Sequence, residues 1–324
     1  MSQQFDLFRA EPLSDTHRKK PAVARQASSA DDEEASARRL EETGRYRVLR
    51  KLSPRPIVPR ALSPYPRIGV LTDTETTGLD HNKCEIIELG MVAFTYDDDG
   101  RIGDVIGVFS ALRQPYSPIP PEITRLTGIT DEMVAGRTIS LDAVEAFIGP
   151  ADLVIAHNAK FDRPFCEHLA SGFVPKAWAC SVSEIAWADH GFEGTKLGYL
   201  IGQCGYFHDG HRAVDDCHAL LEVLARPWTD SASTPFEDLL RNSGKARVRV
   251  WATNSPFEMK DHLKARGYRW SDGSDGRPKA WWTDVAEEDS DNELNYLRAE
   301  IYQWPDAEPP TRRLTAHDKF RAQD

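Results

Sequence analysis

Long apolar runs are scarce in this 324-residue chain, and none approaches the ~20 residues that would cross a bilayer. Residues 1–30 also lack the apolar core of a secretory signal, so neither secretion nor membrane insertion is expected. Cysteine is sparse as well. There are five, at positions 84, 166, 180, 204 and 217, with no C-x-x-C pair, which excludes a disulfide framework and fits a reducing, cytoplasmic setting. Positive charge is in deficit, with 40 Lys and Arg against 51 Asp and Glu for a net charge of −11. As a single total this argues against a partner that is itself a polyanion.

The deficit is local. Residues 1–66 carry +4, residues 67–226 carry −12 and residues 227–324 carry −3. Residues 1–30 read as a disordered tail, being rich in charge, Ser, Ala and Pro. Residues 31–66 read as a short helix stopped at Gly44, followed by a linker in which five prolines forbid regular structure. A compact domain is expected over 67–226, a Pro/Ser linker over 227–244, a small Trp-rich domain over 245–304 and an unstructured tail over 305–324.

Within 67–226 the apolar pattern predicts strands at 68–73, 85–96, 105–113, 152–158 and 177–181. Helical spacing is predicted at 140–149, 160–171 and 211–226, with shorter helices at EIAWADHG and TKLGYLIGQCG. Three meandering strands followed by strand–helix alternation indicate an α/β domain, a mixed sheet covered by helices. The region 245–304 reads as β-α-β-β-α.

Three short blocks carry chemistry. Asp73-Thr74-Glu75-Thr76-Thr77-Gly78 ends the first strand, where positions i and i+2 share a face and so set Asp73 beside Glu75. Two carboxylates that close repel each other, and a divalent cation relieves the repulsion. His157-Asn158-Ala159-Lys160-Phe161-Asp162 lies where a strand turns into a helix, and His211-Arg212-Ala213-Val214-Asp215-Asp216 opens the last helix of the domain.

In this order the three blocks resemble the motifs of the DEDDh, or DnaQ-like, 3′-5′ exonuclease superfamily, which includes the proofreading epsilon subunit of bacterial DNA polymerase III and the RNase T group. The resemblance covers 67–226. It implies an RNase H-like five-stranded mixed sheet and hydrolysis of terminal phosphodiesters to nucleoside 5′-monophosphates, at DNA single strands or frayed 3′ ends, in replication proofreading or repair. It further implies two Mg²⁺ or Mn²⁺ ions held by Asp73, Glu75, Asp162 and Asp216, with His211 as general base. The sibling subfamily has Tyr four residues before the last Asp. Here that position is Arg212 and His211 stands at five, which selects the histidine branch. Thr76, Leu79 and Asn158 are the implied contacts to the 3′-terminal nucleotide.

Two further readings concern context. Gln4-Phe5-Asp6-Leu7-Phe8 resembles the Q-x-D-L-F peptide with which bacterial replication and repair proteins dock on the sliding clamp, making Gln4, Asp6, Leu7 and Phe8 the clamp contacts. A replicative polymerase is an implied partner. Residues 245–283 carry +5, interleaved with Trp251, Tyr268, Trp270, Trp281 and Trp282, which suits either core packing or a nucleic-acid platform. An RNase T-like exoribonuclease and a non-catalytic, clamp-tethered adaptor are the alternatives.

Overall fold

The computed structural model describes residues 30–322 apart from 230 and 275. The segment 4–8 lies outside the described residues. Strands β1 (Arg67–Thr76), β2 (Ile86–Tyr96) and β3 (Ile102–Leu112) form an antiparallel meander. Strands β4 (Leu153–Ala156) and β5 (Ala177–Cys180) add in parallel beside β1, giving the order β3-β2-β1-β4-β5. This is the mixed five-stranded sheet expected from the sequence.

Helix α1 (Ala30–Glu42) precedes the sheet, and α2 (Pro121–Thr127), α3 (Asp131–Val134) and α4 (Leu141–Ile148) follow β3. Helices α5 (Ala159–Leu169), α6 (Leu197–Gln203), α7 (Ala213–Ala225) and α8 (Pro235–Gly244) complete the layers. None of the described helices is long and apolar enough to cross a membrane. On one face of the sheet Leu71, Val92 and Phe94 meet Leu220, Leu224 and Phe236. On the other, Val70 and Met91 meet Phe147, Phe165 and Trp178. Alternation along β1 therefore assigns Asp73 and Glu75 to the α7 face and Thr74 to the α5 face.

The C-terminal part forms a separate antiparallel sheet of β6 (Arg247–Ala252), β7 (Arg269–Ser271), β8 (Ala280–Ala286) and β9 (Thr311–Leu314), in the order β9-β6-β8-β7. Helices α9 (Lys260–Ala265) and α10 (Ser290–Tyr296), the latter running into a π-turn at Leu297–Tyr302, cover one of its faces through Leu263, Leu297 and Ile301.

Four expectations need correction. Residues 227–244 are not simply a linker, because they contain α8: the Thr234 side chain accepts the Glu237 N–H, Pro235 starts the helix, and Phe236 and Leu239 enter the core. The described part of 305–324, residues 305–322, is not a disordered tail, since it supplies β9 and a turn docked on buried Arg163, whose guanidinium donates to the carbonyls of His317 at 2.7 Å and Lys319 at 2.6 Å. The proline-rich stretch before Arg67, with a 3-10 turn at Arg60–Leu62, is attached to the domain. Val58 N–H donates to Val105 O at 2.8 Å, and Arg55 pairs with Glu222, so the segment covers the outer edge of β3. Finally, EIAWADHG forms only a 3-10 turn at Trp187–His190.

Candidate active site

The carboxyl end of β1 assembles the site. Asp73 lies opposite Gly90 in the β1–β2 register and Glu75 lies opposite Glu88, with a register shift immediately after Glu75. Gly90 is where the last helix reaches the sheet: a Cβ there would sit 2.4 Å from the backbone of Ala213 and Val214. Absence of that side chain lets the start of α7 press onto β2 and brings Asp216 to Asp73. One carboxylate oxygen each from Asp73, Glu75 and Asp216 then falls within 4.8 Å of the others.

Three of the acids are held by neighbours. Asp216 accepts the Arg212 N–H at 3.1 Å and lies 2.7 Å from His208 Nε2. Asp162 is buried and accepts the N–H and hydroxyl of Thr74 at 3.1 and 2.8 Å, so β1 and α5 are tied together through it. Glu88, also buried, takes the Arg212 guanidinium in a two-pronged pair with a shortest contact of 2.9 Å, and accepts the Ala213 N–H at 3.1 Å. That pair anchors the first turn of α7 to the sheet.

The electrostatics follow from this crowding. Burial pushes the Glu75 carboxyl up to about 8, with Asp216, Glu88 and Asp162 adding to the shift. Burial likewise raises Asp162 to about 7 against the opposing Thr74 hydrogen bonds. Asp73 is raised well above the ordinary carboxylate range by burial and by the charges of Asp162, Asp216 and Glu75. The donors are hard oxygens without thiolate, a set that fits a divalent cation such as Mg²⁺ or Mn²⁺.

These groups open into a cavity of about 820 Å³. Asp73, Glu75, Asp162, His211 and Asp216 all line it, as do Thr76 and Leu79. Leu79 is 85% exposed at its rim, and His211 has a left-handed backbone with φ of 63°. Asn158 does not line this cavity; it faces a neighbouring one on the other side of the first turn of α5. Glu88 and His208 were missed by sequence reasoning. For Glu88 the signal was present, a lone acid inside the apolar run EIIELGMV.

Residues 70–224 match a family model described as RNase_T, exonuclease. The DNA polymerase III subunit epsilon of Treponema pallidum (strain Nichols) is 33% identical over 161 residues, covering 47% of this chain and 72% of that protein. The PolC-type DNA polymerase III of Bacillus subtilis (strain 168) is 38% identical over 191 residues, 55% of this chain but only 13% of PolC. Exodeoxyribonuclease 10 of Escherichia coli (strain K12) is 27% identical over 161 residues, 48% of this chain and 66% of the enzyme.

Proposed function

Because the chain belongs to the RNase_T exonuclease family, we propose that it is a metal-dependent 3′-5′ exonuclease that removes nucleoside 5′-monophosphates from DNA single strands or frayed 3′ ends, in proofreading or repair. The observation that carries this reading is the convergence of Asp73, Glu75 and Asp216 within 4.8 Å, three acids brought together by two different elements. Asp73, Glu75, Asp162 and Asp216 would hold two ions, Mg²⁺ or Mn²⁺. When bound, these supply positive charge at the scissile phosphate and activate water.

The chain's own residues do the rest. Thr74 fixes Asp162, and Arg212 with His208 fixes Asp216, so the acids keep their positions while substrate exchanges. His211, which lines the same cavity as the acids, takes the proton of the attacking water. The P–O3′ bond breaks and the shortened strand keeps its 3′ hydroxyl. Leu79 and Thr76 at the cavity wall contact the terminal nucleotide, whereas Asn158, in the neighbouring cavity, does not. The names of the relatives, a polymerase subunit and an exodeoxyribonuclease, support DNA as substrate and a replicative polymerase as partner. Residues 4–8 are the proposed clamp contact.

A single assay tests the reading. DNA and RNA oligonucleotides with labelled 5′ ends are incubated with Mg²⁺ and either wild type or Asp73→Ala. Stepwise shortening of DNA from the 3′ end is expected, lost by about 10³-fold or more in the variant. Faster shortening of RNA would assign an exoribonuclease, and no shortening of either polymer would leave an adaptor.

A further inference from the structure

The second cavity, of about 210 Å³, lies between the nuclease sheet and the C-terminal sheet. The two cavities share the first turn of α5 as a wall: His157, Phe161 and Asp162 face the carboxylate site, whereas Asn158 and Lys160 face this one. Its opposite wall is the face of the C-terminal sheet that α9 and α10 leave uncovered. Register places Arg269 across from Trp282 and Arg249 across from Asp284, and Arg247 lies two residues before Arg249 on the same face.

This wall concentrates positive charge. The Arg269 and Arg249 guanidinium carbons lie 4.0 and 4.3 Å from the centre of the Trp282 ring. Asp284 accepts from Arg249 Nε at 2.7 Å. Among the described residues no carboxylate forms an ion pair with Lys160, Arg247 or Arg269. Lys160, Arg247, Arg249, Arg269 and Lys319 all line this cleft, where Asp284 is the one carboxylate among the described lining residues. An anion would relieve this crowding. Trp282 is only 4% exposed and already lies against guanidinium groups, so it offers no open ring face for a base.

We propose that this cleft binds the phosphodiester backbone of the substrate strand on the 5′ side of its reacting end, with Lys160, Arg247 and Arg269 as the phosphate contacts. The C-terminal sheet thereby becomes the sequence-independent grip of the nuclease, holding the strand by its backbone across a single helical turn from the carboxylates. The proposal rests on the exonuclease reading for the direction of the strand.

The test uses the full chain with Mg²⁺ and a fluorescein-labelled dT20. Arg247→Ala/Arg269→Ala is expected to raise KM about tenfold, and to lower the slope of log KM against log salt by about one to two. Arg247→Lys/Arg269→Lys, which keeps the charge, is expected to restore both to within about threefold of wild type. Unchanged KM and salt slope in the alanine variant would overturn the proposal. It would also be overturned if inorganic phosphate raised the Tm of wild type but not of the alanine variant while dT20 affinity stayed equal, because the cleft would then serve free phosphate. If wild type does not degrade dT20, the exonuclease reading has failed. Fluorescence anisotropy of the same strand, wild type against both variants, then judges the cleft by the same criteria.

Discussion

Two groups of like charge face opposite sides of the first turn of α5, and they differ in how they are held. The carboxylates gathered at the end of β1 are buried or half-buried, and two of them are fixed by hydrogen bonds, Asp162 by Thr74 and Asp216 by Arg212 and His208. The cations of the C-terminal sheet line an open cleft, and only Arg249 among those on the wall has its acid, Asp284, directly across the strands. A site that positions ions for chemistry needs its ligands fixed before substrate arrives, whereas a site that grips a backbone needs charge and access. The chain's deficit of positive charge is thus compatible with a polyanionic substrate, since the −12 of residues 67–226 includes the acids that would hold metal.

The sharpest way to break the comparison is at Gly90. Gly90→Ala drives a methyl group into the backbone of Ala213 and Val214 and should cost about 1 to 3 kcal/mol. The expected result is a Tm lowered by roughly 5 °C or more together with loss of nuclease activity, while the C-terminal cleft keeps its arginines. Normal activity and Tm would show that α7 need not touch the sheet so closely.

A smaller effect comes from protonation. Glu75 rises from 4.5 to about 8 and Asp162 from 3.8 to about 7 on folding, so the metal-free folded chain keeps protons that the unfolded chain releases. Their contribution to stability is fully present below about pH 4 and is lost as pH rises through about 8. Thermal melts in a chelator should therefore show Tm declining across that window through these groups, less steeply in Glu75→Gln. A Tm equally steep in the variant would deny that the cluster carries the dependence.

The sequence made some of this arrangement legible. Asp73 and Glu75 could be paired from strand periodicity alone, whereas Asp162, His211 and Asp216 were singled out by the family resemblance that the three blocks carry together. What escaped were interactions whose partners are remote in sequence. Glu88 stands 124 residues from Arg212, and nothing in an apolar strand names its cation. Helix α8 was hidden by the Pro and Ser around it, although Thr234 and Pro235 are themselves start signals. The C-terminal turn looked unstructured because its anchor is the buried Arg163 of another layer. The aromatic residues of the C-terminal part divide between roles: Trp251 and Trp282 are buried, while Trp270 and Trp304 are more than half exposed.

The central claim is that the acids at the end of β1 form a divalent-cation site. Its most direct test is a melt of wild type and Asp73→Asn at pH 8, each with chelator and then with Mn²⁺ or Mg²⁺. Metal should raise the Tm of wild type by about 5 °C or more and leave the variant nearly unchanged. Equal shifts in both proteins, or none in wild type, would contradict the account.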